Sequence, residues 1–108
     1  MQRIQVLNLC WLFLVTQYAS AGPLYGTVQQ AGAPAGGVTI IVTCPAMSGA
    51  VEAATDARGS YSMRVPASGR CEMRVRRDAL LGAAFEVFIS DNPLRFDLQI
   101  DGAMNRVP

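Results

Sequence analysis

Outside its N-terminal segment the chain has two cysteines, Cys44 and Cys71, and their sulfurs are its most reactive pair. Their separation is far longer than C-x-x-C, so a disulfide is the chemistry it supports; a redox-catalytic pair would lack its usual signature. Other nucleophiles have no helper. Ser60, Ser62 and Ser68 carry hydroxyls, but the sequence contains no histidine and no lysine to act as a base. Glu52, Glu86 and Asp91 are scattered, with no spacing that suggests an acid–base pair. Asp91-Asn92 with Asp97 offers weak calcium ligands, yet EF-hand spacing is missing and Asn92-Pro93 reads as the opening of a turn. We therefore expect no catalytic residue, no metal and no cofactor.

Arginine is the remaining functional currency. All nine basic residues are arginine, against eight acids. Arg3 lies in the N-terminal segment, so eight arginines face eight acids after it, and the net charge there is near zero. No large electrostatic footprint for nucleic acid or anionic membrane is expected.

That N-terminal segment has its own logic. Arg3 is its only charge, Leu9 to Val15 is apolar, and Ala19-Ser20-Ala21 places small residues where signal peptidase reads. Asn8, Thr16 and Gln17 interrupt the run, which falls short of the roughly 20 apolar residues of a spanning helix. Cys10 sits inside the run rather than at its exit, which argues against a lipoprotein. Residues 1–21 read as a signal peptide cleaved after Ala21, with Cys10 and Trp11 lost. The mature chain is then secreted or periplasmic, and not an integral membrane protein. In that compartment Cys44 and Cys71 are expected to pair.

The elements that must position these groups are strands. Leu24, Gly26 and Val28 share one parity, as do Val38, Ile40, Val42 and Cys44. A weaker strand covers Ala50 to Thr55. Tyr61, Met63 and Val65 form another inward series, followed by Cys71, Met73 and Val75, then Phe85, Val87 and Ile89. Leu94, Phe96, Leu98 and Ile100 alternate with Arg95, Asp97 and Gln99. Period-two patterns at this spacing predict an all-β sandwich or barrel. Asp78 to Ala84 reads as a loop or single turn. The domain is expected to span 22–102, with 103–108 a frayed tail.

Register follows from the cysteines. Placing Cys44 opposite Cys71 on antiparallel strands sets Val42 against Met73 and Ile40 against Val75, all on the inward face. A hairpin of Ser60–Val65 with Cys71–Val75 is also expected. It would set Arg64 opposite Glu72, leaving Arg74 and Arg76, with Arg77 beyond, as a guanidinium patch for an acidic partner.

Leu24-Tyr25-Gly26-Thr27-Val28 and Thr55-Asp56-Ala57-Arg58-Gly59-Ser60-Tyr61 resemble the carboxypeptidase regulatory-like domain. Pro34 and Gly37 leading into Val38, and Pro66 and Gly69 leading into Cys71, fit the same pattern. The resemblance covers roughly Leu24 to Val75 and implies a transthyretin-like (prealbumin-like), seven-stranded Greek-key β-sandwich. Within it Gly26, Val28, Thr55, Asp56, Gly59 and Tyr61 are structural: Asp56 caps the turn, Gly59 takes positive φ and Tyr61 lies on the core edge. Cys71 stands where such domains usually place an aromatic residue. The expectation is a non-catalytic binding module for a protein or envelope partner. The alternative is a subunit or chaperone of a surface fibre acting by strand addition.

Overall fold

The computed structural model describes residues 22–108 of the chain. The expected leader, with Cys10 and the expected cleavage site after Ala21, lies outside the described residues.

The protein is all-β, built as two sheets sharing one core. Its segments are β1 (Gly22–Gln30), β2 (Ala33–Pro34), β3 (Thr39–Thr43), β4 (Ala50–Ala54), β5 (Ser60–Val65), β6 (Gly69–Arg77), β7 (Leu80–Leu81), β8 (Phe85–Ile89), β9 (Leu94–Arg95) and β10 (Leu98–Ile100). In sheet one, β1 is central: β5 and β2 pair antiparallel with it, while β9 and β10 run parallel to it. Sheet two has the order β4-β3-β6-β8, and the short β7 takes the far end of β6.

The alternation predicted from sequence sets the core. Leu24, Val28, Val38, Ile40, Val42, Val65, Met73, Val75, Ile89, Leu98 and Ile100 are all buried. Each buried Leu, Ile, Val or Met side chain contributes about 1.5–3 kcal/mol through removal of apolar area from water. The β3–β6 register is the expected one, with Ile40 opposite Val75 and Val42 opposite Met73. One step further, Cys44 and Cys71 form a disulfide whose two residues are buried.

Turn chemistry closes the strands. Ala31 and Gly32 both have positive φ, as a two-residue β1–β2 hairpin of the primed type requires. Asp78, also at positive φ, opens the Asp78-Ala79 turn between β6 and β7, so the predicted loop is a tight hairpin. The Asp56–Gly59 turn is fastened as expected: Asp56 Oδ1 accepts from the N–H groups of Arg58 and Ser60, and Gly59 has φ 76°. These bonds, Ser60 first, hold the Asp56 carboxyl below its usual range. Thr55 Oγ1 donates to the Ala35 carbonyl and accepts from Val38 N–H, tying this turn to the entry of β3.

Two expectations are corrected. β5 does not pair with β6. It pairs with β1, so Arg64 stands opposite Pro23. β6 lies in the other sheet, where Glu72 is flanked by Thr43 and Glu86. Alternation tells which side of a strand faces the core but not which strand lies next to it. The residues between β5 and β6 therefore form an arch across the core.

The expected frayed tail is also ordered into the fold. Met104 is buried, Arg106 bridges to Ile100, and Val107 N–H donates to the Gln99 carbonyl. The Arg106 guanidinium lies 5.2 Å from the Phe85 ring centroid and 5.3 Å from that of Phe96. Asp101 Oδ1 accepts from Ala103 and Asn105 N–H, turning the chain back, and Asn105 Oδ1 accepts from Ala83 N–H. The result is a clasp linking β10 of sheet one to the β7–β8 connection of sheet two.

Candidate functional site

The arginines do not form the patch expected from a β5–β6 hairpin. Arg74 and Arg76 do face outward on sheet two, opposite Ile41 and Thr39. Arg76, however, reaches Glu52 of β4 at 3.0 Å. Arg77 has the inward parity of its strand and turns to the rim, donating to Gln30 Oε1 at 3.3 Å and to the Gly36 carbonyl at 3.1 Å. It joins the two sheets. Arg70 lies 3.7 Å from Glu86. Arg74 is thus the arginine of this face without an ion-pair partner among the described residues. Phe88, 68% exposed, stands opposite Arg70 at the β8 edge. Three arginines and three glutamates on this face leave little net charge to attract an anion.

The outer face of sheet one is differently built. Across β5, β1 and β9, Ser62, Tyr25 and Arg95 are direct neighbours in one row. Ser60 and Thr27 are paired in the next row, and Asp97 bonds to Thr27 from the other side. Tyr25, Thr27, Ser60, Ser62 and Arg95, with Asp56 at the rim, line a shallow depression of about 610 Å³. That volume falls in the roughly 300–1,000 Å³ range of ligand sites.

The position of Asp97 is what organises this surface. Leu94 to Ile100 reads as one strand, but the β1 ladder is interrupted between β9 and β10. There Asp97 Oδ1 accepts from Thr27 N–H at 2.9 Å and Thr27 Oγ1 at 3.2 Å, so a carboxylate substitutes for a backbone acceptor. The same carboxylate receives Arg95 Nε, 3.2 Å from Oδ2 and 3.4 Å from Oδ1. The Thr27 N–H chiefly, then Arg95, holds the Asp97 carboxyl below its ordinary value.

This contact uses only Arg95 Nε. The two terminal nitrogens have no partner among the described residues, and the side chain is 64% exposed. A guanidinium anchored through Nε keeps a two-pronged donor face for a carboxylate or phosphate. Beside it Tyr25 is 43% exposed. The hydroxyls of Ser60, Ser62 and Tyr25 have no partner among the described residues.

Sequence reading missed this arrangement. It took Arg95 and Asp97 only as the outward positions of a strand, and weighed Asp97 as a weak calcium ligand. In the structure its oxygens already accept from Thr27 and Arg95. Asp56 and Tyr61 of the D-x-x-G-x-Y turn also border the depression, but their side chains bond within the fold. Among the described residues no three His, Cys, Asp or Glu side chains converge as a metal-binding group.

In fold the chain is similar to the crystal structure of a DUF3823 family protein from Parabacteroides merdae. The TM-score is 0.54 at 12% identity, over 73% of this chain and 45% of that one. The chain thus matches less than half the length of its structural neighbour, and at this identity the likeness concerns the β fold alone. No protein-family model matches the sequence. No curated protein matches it.

Proposed function

We propose that the chain is an exported, non-catalytic binding module that meets its partner through the outer face of sheet one. The observation that carries this reading is Arg95, oriented through Nε by Asp97 with its terminal donors free beside the exposed Tyr25. Orienting a guanidinium before contact lowers the ordering cost of binding. Arg74, on the opposite face, is a secondary contact in this reading, whereas Arg76 and Arg77 are engaged within the fold.

We infer a finer topology as well. Joining β7 to β8 and β9 to β10, and treating β2 as a return of β1, gives seven strands split three and four. With the T-D-x-x-G-x-Y turn fastened as it is, this supports a transthyretin-like Greek-key sandwich of the carboxypeptidase regulatory-like kind.

The test joins export to capture. Intact-mass analysis of exported protein should find a chain beginning at Gly22; a retained leader overturns the exported state. Partner capture from envelope extract should be lost in a Tyr25→Ala, Arg95→Gln variant with an unchanged melting temperature.

The second reading is strand addition, favoured by β4 and β8, each of which pairs on one side only among the described residues. Capture that survives the double substitution but is lost on Phe88→Lys at the β8 edge would favour it.

A further inference from the structure

We infer that the depression on sheet one is a site for a carboxylate-bearing saccharide, its acid group taken by Arg95 and its ring laid on Tyr25. This rests on the proposed binding surface and adds the ligand class. Three features select that chemistry. The first is the donor geometry: with Nε committed to Asp97, the two terminal nitrogens of Arg95 form the fork that accepts a carboxylate along both oxygens. The second is the aromatic ring, set between Arg95 and Ser62 as their cross-strand neighbour. Neighbouring strands lie about 4.7–4.9 Å apart, so one sugar residue spans ring and guanidinium together. The third is the lining, where hydroxyls of Ser60, Ser62 and Tyr25 offer both donors and acceptors.

A peptide would find less here. The surface is the face of a sheet rather than its edge, so it offers no backbone ladder for strand addition, and no residue type in the lining supplies a deep apolar pocket for a side-chain anchor. The two carboxylates nearby are both engaged, which leaves the terminal donors of Arg95 as the groups to meet an acid. Asp97 is neutralised by Arg95, and Asp56 directs Oδ1 to the turn N–H groups. Asp97 acts as a positioning residue: it touches no ligand and sets the direction of Arg95.

The experiment is titration of the mature protein by calorimetry and backbone NMR, with three probes. They are an oligogalacturonate, its methyl-esterified neutral counterpart, and a short peptide with a free C-terminal carboxylate. Saturable binding of the oligogalacturonate is expected, with shifts centred on Tyr25, Ser62 and Arg95 and at least tenfold preference over the neutral form. Arg95→Gln should weaken it tenfold or more, and Arg95→Lys should fail to restore it, because an ammonium lacks the fork. Asp97→Asn should weaken it less, while Arg95→Lys binding would be indifferent to that change.

No binding of the oligogalacturonate, equal binding of the neutral form, or binding unaltered by Arg95→Gln overturns the saccharide assignment. Preference for the peptide overturns it also. If the saccharide fails while envelope capture still depends on Tyr25 and Arg95, the binding surface stands without this ligand; if capture is indifferent to both residues, the surface falls too.

Discussion

Tyr61 stands directly opposite Gly26 on the β1–β5 ladder, and its hydroxyl donates to the Phe96 carbonyl at 2.5 Å. That carbonyl occupies the place a side chain would need: a Cβ on Gly26 would lie 2.1 Å from it. The glycine of the G-x-V motif thus lets a third strand approach and give the buried phenol its acceptor. Burial, with Asp97 nearby, pushes the Tyr61 hydroxyl well above its ordinary range, so it remains a donor.

Gly26→Ala is therefore expected to destabilise by about 1–3 kcal/mol, as overpacking does. Tyr61→Phe, which orphans the carbonyl, should cost about 1–3 kcal/mol. Tyr61→Ala should cost about 3–5 kcal/mol through the cavity. Chemical denaturation measures all three. A neutral Gly26→Ala would contradict the close approach.

The disulfide closes a loop with a sequence separation of 27. The chain-entropy argument gives it roughly 3.5 kcal/mol, a large share of the stability of so small a domain. Replacing both cysteines with alanine should lower the melting temperature by about 10 °C or more. Non-reducing peptide mapping should recover Cys44 joined to Cys71; two free thiols in the protein purified without reductant would contradict the pairing.

The C-terminal clasp makes a prediction that a frayed tail would not. Met104→Ala should cost about 2–5 kcal/mol, since the side chain is buried. Arg106→Ala should cost less, up to about 2 kcal/mol, for a guanidinium lying near two rings. Removing residues 103–108 should at least match the first. A truncated chain melting with the intact one would refute the clasp.

Asp56 and Asp97 predict the acid limb of stability. Both carboxyls are held below their ordinary value of 3.8, so the folded state favours the ionised forms. Their contribution is complete above that value and is lost as pH falls through the lower folded values. Melting temperature measured from pH 5 to pH 2 should drop, and Asp97→Asn should flatten part of the drop. An unchanged acid limb in that variant would show that Asp97 is not held by Thr27 and Arg95 in solution.

Much of the fold was legible in sequence because β alternation is local. Which of Val38, Ile40, Val42 and Cys44 face the core depends only on parity, and the cysteine pair then fixes one register without slippage. The Asp56–Gly59 turn was legible for the same reason, since a side chain bonding backbone a few residues away needs no distant partner.

What the tertiary structure alone decided was adjacency. The parity of β5 is identical whether it pairs with β6 or crosses to β1, so no alternation pattern distinguishes a hairpin from an arch. The expected arginine patch dissolved through adjacency as well: β4 beside β3 sets Glu52 within reach of Arg76, and Arg77 turns to the seam between the sheets. Adjacency likewise created the surface at Tyr25, whose neighbours Ser62 and Arg95 come from strands far apart in the chain. The spacing of residues along a strand is set by covalent geometry, whereas the neighbours across it are set by which apolar faces can be buried together. The first is written in sequence; the second is settled only when the whole core closes.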